Sequence, residues 1–415
     1  MKKLLALVLS AIMALSMVSF AAAEENVVLK VVAWDVNTTT YYAAQKEAFE
    51  ASHPGITIEY IAVASQDYGT KASTMLAGGD TSDIFMVKAV PDILNWYNAG
   101  YAEPLNAYME KDNYDVSGFV GMETGYRYDD QQAALPFRSD FWVLFYNKTL
   151  FDNAGVPYPT NDMTWEEYKD LAIKMTDPAH NIYGCHYHTW LSAVVNWAVD
   201  DGVNTLVDGD YEDLKYFYDL YFALEDAGAC MPYPEVSAAG LHYSGAFGNG
   251  NIAMLPMGYW FVSTMIGAIK DGTCDFNWGI VAVPHKEDVA AGSSFGNLTG
   301  AMINAKSENK DLAWEYISWL AGEEGSIATA TTGTRPAWVS EAVASTRASA
   351  DGFPTDDASK AALVPVYVGI EIPASEHSSE ISTVLNEEHT LIMTREYTIE
   401  EGIEEMNERV AEILG

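Results

Sequence analysis

The sequence is poor in basic side chains and in cysteine. It contains 22 lysines and arginines against 59 aspartates and glutamates, a formal net charge of −37 at pH 7. A field of this sign repels polyanions, so nucleic acid is excluded as a partner and a strongly anionic ligand is disfavoured. The three cysteines, Cys185, Cys230 and Cys274, are too few and odd in number for a disulfide scaffold. At least one of them is unpaired or pairs with another molecule, and a Cys230–Cys274 bridge stays open.

Sequence patterns of catalysis and metal binding are also lacking. There is no HExxH motif and no glycine-rich phosphate loop. Adjacent acidic pairs such as Glu166-Glu167 do not provide the two facing carboxyls that glycoside hydrolysis requires. His186 and His188 beside Cys185 lack the second ligand pair of a closed zinc site. We therefore predict that the protein is not an enzyme and has no catalytic residue, no metal site and no cofactor.

Residues 1–23 have the pattern of a signal peptide. Lys2-Lys3 form a positive n-region, Leu4–Phe20 an apolar h-region, and Ala21–Ala23 a small-residue cleavage site. No later stretch approaches the roughly 20 apolar residues that cross a bilayer. No cysteine follows the h-region before Cys185, so we expect no lipid anchor. We predict cleavage after about Ala23 and export to the periplasm, the cell surface or the medium. Cleavage removes two lysines and no acid, so the net charge becomes −39.

The mature sequence begins with alternating strand and helix patterns. Val27–Ala33, Ile56–Val63 and Ile84–Val87 are apolar, β-branched runs typical of strands. Tyr41–Ala51 and Tyr68–Leu76 between them have helical patterns that end at His-Pro-Gly and Gly-Gly. Strands joined in this order by helices are parallel, so the sequence predicts an α/β fold. The length fits two domains of about 150 residues or more each.

The segment LPFRSDFWVLFY at 135–146 marks where a sheet is expected to open into a crevice. Phe141–Tyr146 is a strand pattern, and Arg138 and Asp140 lie at its mouth. Open α/β sheets bind their ligands at such positions. We find no flexible linker, so we expect the chain to cross between the two domains through ordered strands.

Longer elements follow in the second half. Trp165–Met175 is predicted as a helix that begins behind Thr164, which forms a capping box with Glu167. DFNWGIVAV at 275–283 is predicted as a strand that returns toward the first domain. Ile399–Leu414 is predicted as the closing helix, with its acidic run on a solvated face.

Aromatic side chains are the most suggestive binding groups. Several tryptophans stand beside glycine, proline or polar turn residues: Trp34, Trp190, Trp197, Trp260 and Trp338. Aromatic faces stack on the apolar face of a sugar, while carboxylates and amides bond to its hydroxyls. Trp165, Trp314 and Trp319 are spaced for helix packing and are expected in the core.

Several separated motifs, in the same order, resemble the extracellular solute-binding proteins of ABC importers, in the maltodextrin-binding-protein-like group of carbohydrate binders. They are VVAWDVN at 31–37, FEASHPGITIEY at 49–60, MLAGGDTSDIFMV at 75–87, LFYNKTLFDNAGVPYP at 144–159, TWEEY at 164–168, IAMLPMGYW at 252–260, INAKSENKDLAWEYISWL at 303–320 and TIEEGIEEMNERV at 398–410. The resemblance implies two α/β lobes joined by a multi-strand hinge, with a ligand cleft between them. It implies residues 24–137 and 286–334 for lobe I, and 138–285 and 335–415 for lobe II.

The resemblance also implies which side chains contact the ligand. Those from lobe I and the hinge grip sugar hydroxyls or flank the ring: Trp34, Asn37, Thr38, Lys88, Arg138 and Asp140. Those from lobe II and the recrossing segments are Tyr187, Trp190, Trp260, Asn297, Arg335 and Trp338. Trp260 matches the main stacking tryptophan, and Glu371–His377 matches a late contact stretch. Cys185-His186 replaces a carboxylate of the maltodextrin binders, which argues against maltose-type specificity.

By this resemblance the protein is predicted to be the substrate-binding subunit of an ABC importer. It would capture a sugar or oligosaccharide between closing lobes and deliver it to the membrane permease, and a monomer suffices for this. Three alternatives remain open: a secreted carbohydrate-active enzyme, the same fold binding a polyamine or other non-sugar solute, and a metal carrier using His186 and His188.

Overall fold

A computed structural model describes residues 26–119, 121–373, 375 and 377–415. The predicted signal peptide therefore lies outside the described residues. Across the described ranges, no helix combines the length and the apolar character that crossing a bilayer requires.

Thirteen strands are present in the described ranges, and nine of them form two larger sheets. The strands are β1 (Val27–Trp34), β2 (Ile56–Val63), β3 (Ile84–Val87), β4 (Arg127–Tyr128), β5 (Gln131–Gln132), β6 (Leu135–Ser139), β7 (Trp142–Asn147), β8 (Tyr183–Cys185), β9 (Ile252–Gly258), β10 (Trp278–Ala282), β11 (Ser293–Gly296), β12 (Leu298–Ile303) and β13 (Tyr367–Ile370). The first sheet has the order β2-β1-β3-β12-β6 and the second β10-β7-β9-β8. In the first, β1 is parallel to β2 and β3, and β12 is antiparallel to β3 and β6.

Helices connect and cover the strands. Their bounds are Thr40–Ser52, Tyr68–Ala77, Val90–Asn98, Asn106–Asp112, Lys148–Ala154, Trp165–Met175, Leu191–Val194, Leu214–Asp226, Tyr233–Ala239, Tyr243–Gly248, Phe261–Lys270, Lys310–Ala321, Glu323–Ala330, Glu341–Ala348, Asp357–Ala361, Ser378–Met393 and Ile399–Leu414. The predicted β-α-β-α-β start is confirmed with ends shifted by one residue at most. The capping box of Thr164 and Glu167 is also confirmed, because each side chain bonds the backbone N–H of the other residue.

Two predictions about the strands need correction. The strand predicted at Phe141–Tyr146 begins at Trp142 and ends at Asn147. The strand predicted within 275–283 is β10, which pairs antiparallel with β7 in the second sheet. It therefore does not return toward the first sheet, because its backbone partners run from Asn147 to Val143.

The buried apolar side chains form two separate clusters, one on each sheet. The first includes β1, β3, Leu135 and the helix Lys310–Ala321, and the second includes β7, β9 and the closing helix. Phe295 packs in the second cluster, and Ala337 and Trp338 pack on the first, which differs at these three points from the lobe boundaries implied by the sequence. The rest of that division stays a prediction.

The chain crosses between the sheets through strands that meet at one point. β6 ends at Ser139 in the first sheet and β7 begins at Trp142 in the second. Alongside, the chain runs back from β11, which pairs with β13 and packs Phe295 in the second core, to β12 of the first sheet. The Asp140 N–H donates to the Asn297 carbonyl at 3.0 Å. A Cβ at Gly296 would lie 1.8 Å from the Asp140 carbonyl oxygen, so only glycine allows this approach. The predicted crossing through ordered strands is confirmed.

All three cysteines are buried as free thiols. The Cys230–Cys274 bridge that the sequence left open is therefore not formed in this structure.

Candidate ligand-binding site

A cavity of about 380 Å³ lies beside the strand crossing, between the two apolar cores. Its aromatic side chains are Trp34, Tyr41, Trp142, Trp190, Tyr243 and Trp260. Its charged side chains are Asp35, Lys88, Asp92, Arg138, Asp140 and Glu371. Polar side chains around it include Thr38, Ser65, Ser192, Asn196, Asn297 and Thr299. This volume is in the range of small-molecule sites, and aromatic rings with a few convergent polar groups are their usual lining.

Trp260 is held in place by strand β9 and by neighbouring rings. It directly precedes the helix Phe261–Lys270. A Cβ at Gly258 would lie 1.9 Å from its ring, so the absence of a side chain at Gly258 makes room for the indole. Its Nε1–H donates to the Tyr243 hydroxyl at 3.1 Å. Trp142 meets the ring edge to face, at 5.4 Å between centroids and 81° between planes. These contacts leave the half-buried indole little freedom to reorient.

Trp190 extends the same aromatic surface. Its ring lies 5.5 Å from that of Tyr243 and 6.4 Å from that of Trp260. Together these rings give the cavity a continuous aromatic side, built on the second core. Edge-to-face contacts of this kind add to the stability that apolar burial provides.

Arg138 and Asp140 form a buried ion pair at the strand crossing. Arg138 Nη1 lies 3.1 Å from Asp140 Oδ2, and its Nη2 donates to the Thr299 hydroxyl at 2.9 Å. The guanidinium also lies over the Tyr41 ring, 5.4 Å from its centroid. Burial raises the pKa of the Asp140 carboxyl, while the Arg138 and Arg335 guanidinium groups oppose that rise.

The pair retains unused bonding capacity. Arg138 Nε and Asp140 Oδ1 are buried and have no hydrogen-bond partner among the described residues. Because a buried polar atom without a partner is costly, such atoms beside a cavity are positions for ligand groups. The two residues that carry this unpaired donor and this unpaired acceptor both line the cavity.

Lys88 lies on the first-core side. Its Nζ donates to the Ser65 carbonyl oxygen at 2.7 Å and to the Ser65 hydroxyl at 2.8 Å. It also lies 6.0 Å from the centre of the Trp34 ring. Burial lowers the pKa of Lys88, and the nearby carboxylates of Asp35, Asp92 and Glu371 oppose that shift.

Two carboxyl groups of the cavity have strongly raised pKa values. Burial raises the pKa of Glu371 to about 7, against hydrogen bonds from Asn196 and Ser192 and the attraction of Lys88. Burial raises the pKa of Asp92 to about 6, again against Lys88. Both groups therefore change charge near neutral pH, unlike exposed carboxyls.

Asn196 connects Glu371 to the second core. Its Nδ2–H donates to Glu371 Oε1 at 2.9 Å, which orients both side chains. Asn196 is buried, and its Oδ1 has no partner among the described residues. This amide oxygen is another acceptor available at the cavity.

The turn after β1 adds Asp35 and Thr38. Asp35 has a φ of 50°, in the left-handed region that is uncommon for residues other than glycine. Its carbonyl accepts from the Thr38 N–H at 3.0 Å and from the Thr38 hydroxyl at 3.1 Å. The turn brings both side chains to the cavity.

The structure brings eight of the twelve predicted contact residues to the cavity. They are Trp34, Thr38, Lys88, Arg138, Asp140, Trp190, Trp260 and Asn297, and Glu371 from the predicted late stretch joins them. Asn37 does not line the cavity, although it lies in the turn between Asp35 and Thr38. Ala374 and Glu376 of that late stretch lie outside the described residues.

Three further predicted residues point elsewhere. Tyr187 is buried in the second core against Tyr221, with ring centroids 5.3 Å apart. Trp338 packs on Phe119, on the first core. Arg335 stacks on the Phe141 ring at 5.2 Å and acts on the cavity only through its charge near Asp140. A place in the aromatic segment for Tyr187, and in the recrossing segment for Arg335 and Trp338, was not enough to bring these side chains to the cavity.

Sequence reasoning missed several lining residues. Trp142 is predicted only as part of a strand. It stands two residues after Asp140, so its position at the mouth of this strand could have been found. Asp92 lies in the first turn of the helix that follows β3, and this position near the end of a predicted strand was a usable signal. Asn196 and Tyr243 lie in short helical turns whose patterns gave no signal.

The two histidines considered for metal binding are packed into the second lobe. His186 is buried, and its backbone N–H donates to the Met254 carbonyl. Among the residues with described positions, no group of three or more His, Cys, Asp or Glu side chains is arranged to hold a metal ion.

Comparison with known proteins assigns the chain to a family. The model of the family described as bacterial extracellular solute-binding protein matches residues 34–327. A sugar transporter structure from Rhizobium etli, in an open conformation, is 41% identical, with a TM-score of 0.75 over 93% of this chain and 99% of that one. This similarity confirms the predicted two-lobe α/β fold.

Curated relatives are more distant. The erythritol/L-threitol-binding protein of Mycolicibacterium smegmatis is 28% identical over 69% of this chain and 64% of its own length. The mannitol-binding protein of Pseudomonas aeruginosa is 22% identical over 86% of each chain. The resemblance found in the motifs is thus confirmed, and the chain belongs to the bacterial extracellular solute-binding proteins.

Proposed function

We propose that this protein binds an uncharged sugar or sugar alcohol in the cavity at the strand crossing and delivers it to an ABC permease. The observation that carries the proposal is the pairing of an aromatic wall with unused buried polar atoms. Trp260, Trp190 and Tyr243 form the wall, and Arg138 Nε and Asp140 Oδ1 are unpaired atoms of two other cavity-lining residues. Polyols need both surfaces, since their C–H faces are apolar and their hydroxyls both donate and accept.

The names of the relatives support the ligand class. Two of them bind erythritol or L-threitol and mannitol, which are small polyols. The protein of 41% identity is described as a sugar transporter. The cavity of about 380 Å³ is near the lower end of ligand pockets, which suits a small solute better than a long oligosaccharide.

The charged groups around the cavity narrow the class of ligand further. Four carboxyl groups line the cavity, Asp35, Asp92, Asp140 and Glu371, against the two cations Lys88 and Arg138. An acidic sugar would add another negative charge to this set, and the whole chain is strongly negative as well. We infer that the site rejects uronates and sugar phosphates.

The mechanism is capture between closing lobes. A ligand that contacts both sides of the cavity binds the closed form better than the open form and so shifts the population toward closure. The crossing strands at Asp140 and Asn297 are the points about which such a motion would turn. An affinity near micromolar, about −8 kcal/mol, would retain the solute yet permit release to a permease.

Export and assembly belong to the same proposal. We infer that residues 1–23 are removed on export, that the mature chain works as a monomer without turnover of its ligand, and that its lobes are divided close to the predicted boundaries. Mass spectrometry of the exported protein tests the cleavage site, and light scattering with and without ligand tests the monomer.

A thermal-shift screen of the mature protein tests the ligand class. The panel holds sugar alcohols, neutral mono- and disaccharides, glucuronate, a glucosamine, spermidine and divalent cations. A ligand at 100 times its Kd adds about 2.7 kcal/mol of stability. We expect shifts from one neutral class, no shift from glucuronate, and recovery of the ligand unchanged. Cleaved sugar in the recovered solution would make the protein an enzyme instead.

A cationic solute is the second candidate. The excess of carboxyl groups over cations at the cavity favours it, because an ammonium ion could bridge Asp92 and Glu371 where their pKa values are raised. Shifts from spermidine or the amino sugar alone, with none from neutral polyols, would decide for this candidate.

A further inference from the structure

Cys185 and Cys230 are brought together in the second lobe. Cys185 is the last residue of β8, and Cys230 follows the helix Leu214–Asp226 through a tight loop. The Cys185 N–H donates to the carbonyl of Ala229 at 3.0 Å, and its Sγ lies 3.7 Å from the same oxygen. The backbone of one cysteine is thus bonded directly to the neighbour of the other. Both side chains are fully buried in the same core.

The Cys230 thiol is held in its protonated form. A hydrogen bond to Cys185 and then burial raise the pKa of the Cys230 thiol well above its ordinary value. The thiol is therefore protonated at neutral pH and unreactive once the lobe has folded, because the thiolate is the reactive form. Any oxidation of this pair must take place while the chain is folding.

Cys274 stands apart from this pair. It lies in the loop after the helix Phe261–Lys270, where its N–H donates to the Ala268 carbonyl at 3.1 Å. It is buried in the same core but precedes β10, which is the opposite edge of the second sheet from β8. The odd cysteine count thus resolves into one neighbouring pair and one single thiol.

We propose that Cys185 and Cys230 form a disulfide when the exported chain folds in an oxidising compartment. One protein thiolate attacks a low-molecular-weight disulfide, which gives a mixed disulfide and releases one small thiol. The second protein thiolate then attacks the protein sulfur of the mixed disulfide, so that the protein S–S bond forms and the second small thiol leaves. The two protein thiols are oxidised, and the small disulfide is reduced to two small thiols. Family membership supplies the export on which this depends, since disulfides persist outside the cytoplasm. The reduced pair described here is the precursor of that bond.

The bond would stiffen one side of the ligand cavity. β8 is the edge strand of the second sheet, paired only with β9. Directly after it, the segment from His186 leads to Trp190, which lines the cavity. Joining Cys185 to Cys230 ties this edge to the end of the helix Leu214–Asp226. The cross-link would join two residues that are 45 positions apart in the sequence, which restricts the unfolded chain substantially.

Counting thiols in the unfolded protein tests the proposal directly. The mature protein is purified from the export medium without reductant, unfolded in guanidinium chloride and alkylated with N-ethylmaleimide. We expect one alkylated cysteine in the wild type, three after prior reduction, and none in Cys274→Ser. Cys185→Ser and Cys230→Ser should each show two. A peptide map without reductant should contain a Cys185–Cys230 linked pair.

A second measurement applies to protein that is purified with its cysteines still reduced. The unfolded mature chain is refolded in a mixture of reduced and oxidised glutathione, and its thermal transition is then recorded with and without dithiothreitol. We expect the reductant to lower the transition of wild type and Cys274→Ser by several degrees, and to leave Cys185→Ser unchanged. Three free thiols after both treatments, a Cys230–Cys274 link, or only glutathione adducts would overturn the proposal.

Discussion

The two walls of the cavity are built from different kinds of side chain. The first-lobe wall carries polar and charged groups: Asp35 and Thr38 in the turn after β1, Lys88 directly after β3, and Asp92 in the first turn of the helix Val90–Asn98, with Trp34 beside them. The second-lobe wall carries large rings and an amide–carboxyl pair: Trp142, Trp190, Tyr243, Trp260, Asn196 and Glu371. Between the walls lies the buried pair of Arg138 and Asp140.

This difference suggests a division of roles. The second-lobe rings contact one another edge to face and share the Trp260–Tyr243 hydrogen bond, so this wall is preorganised before ligand arrives. Most of the energy of ligand binding should come from such large, well-packed groups. The first-lobe groups project from a turn and from strand ends, and they would add bonds to hydroxyls when the lobes close.

Asp140→Asn should cause the largest loss of stability and of ligand binding. The substitution changes the buried ion pair that lies between the two walls of the cavity. The substitution keeps the size of the side chain but leaves the Arg138 guanidinium buried without its counter-ion. Removing one partner of a buried pair costs about 3–5 kcal/mol of unfolding free energy. We expect a markedly lower urea midpoint together with weaker ligand binding.

The matched control is Asp67→Asn, which breaks the exposed pair with Lys71. Exposed pairs contribute about 1 kcal/mol or less, so its midpoint should barely move. Equal midpoints for the two variants would mean that Asp140 is neutral in the folded protein and that the pair does not join the walls electrostatically.

Trp260→Ala tests whether the second-lobe wall dominates binding. Truncating a central aromatic contact costs about 2 kcal/mol or more, which is roughly a 30-fold loss of affinity. Isothermal titration with the sugar or polyol found in the screen measures it. Trp319→Ala, a half-buried tryptophan against Phe49 on the first core, is the control for the loss of an indole. Similar affinities for both variants would refute stacking on Trp260.

The pH dependence separates binding from stability at Glu371. Its pKa in the folded protein is about 7, above that of the unfolded chain, so the folded state holds the proton more tightly. The free energy of unfolding contributed by this group is therefore highest below pH 4.5 and falls as pH rises toward 7. The carboxylate is the better acceptor for ligand hydroxyls, so affinity should rise as pH passes through about 7, where Glu371 ionises in the folded protein, by up to about tenfold.

If Glu371 causes the pH dependence of the unfolding free energy and of the affinity, Glu371→Gln should abolish most of both. Asp92, with a pKa of about 6, contributes in the same direction and should leave a smaller slope. Titrations and urea melts at pH 5, 6, 7 and 8 compare the variant with the wild type. Parallel pH slopes in the two proteins would remove Glu371 from the site.

Much of the fold could be predicted from the sequence because its signals are local. The apolar runs of β1, β2 and β3 and the stops behind their helices set the first sheet within a residue or so. The partner of β10 could not be predicted locally, because an antiparallel pairing with β7 depends on contacts far apart in sequence.

Some residues of the candidate site could likewise be predicted from local sequence signals, and others could not. Arg138 and Asp140 follow from their position at a strand mouth, and Trp260 from its motif. Asn196 lies in a 3-10 turn without periodicity, and only its bond to Glu371, 175 residues away, shows that it faces the cavity. Tyr187 shows the converse error, since a contact expected from a motif turned out to be a core residue.

Lys88→Met should cause the smallest loss of affinity. It tests whether the first-lobe wall contributes less to binding than the second-lobe wall. The ammonium already donates twice to Ser65, so it has one donor left for the ligand. One hydrogen bond to a neutral hydroxyl is worth about 1 kcal/mol, a loss of roughly fivefold in affinity. Lys71→Met, outside the cavity, is the control. A loss as large as that of Trp260→Ala would instead make the first-lobe wall an electrostatic anchor and favour a ligand with a strong acceptor near Lys88.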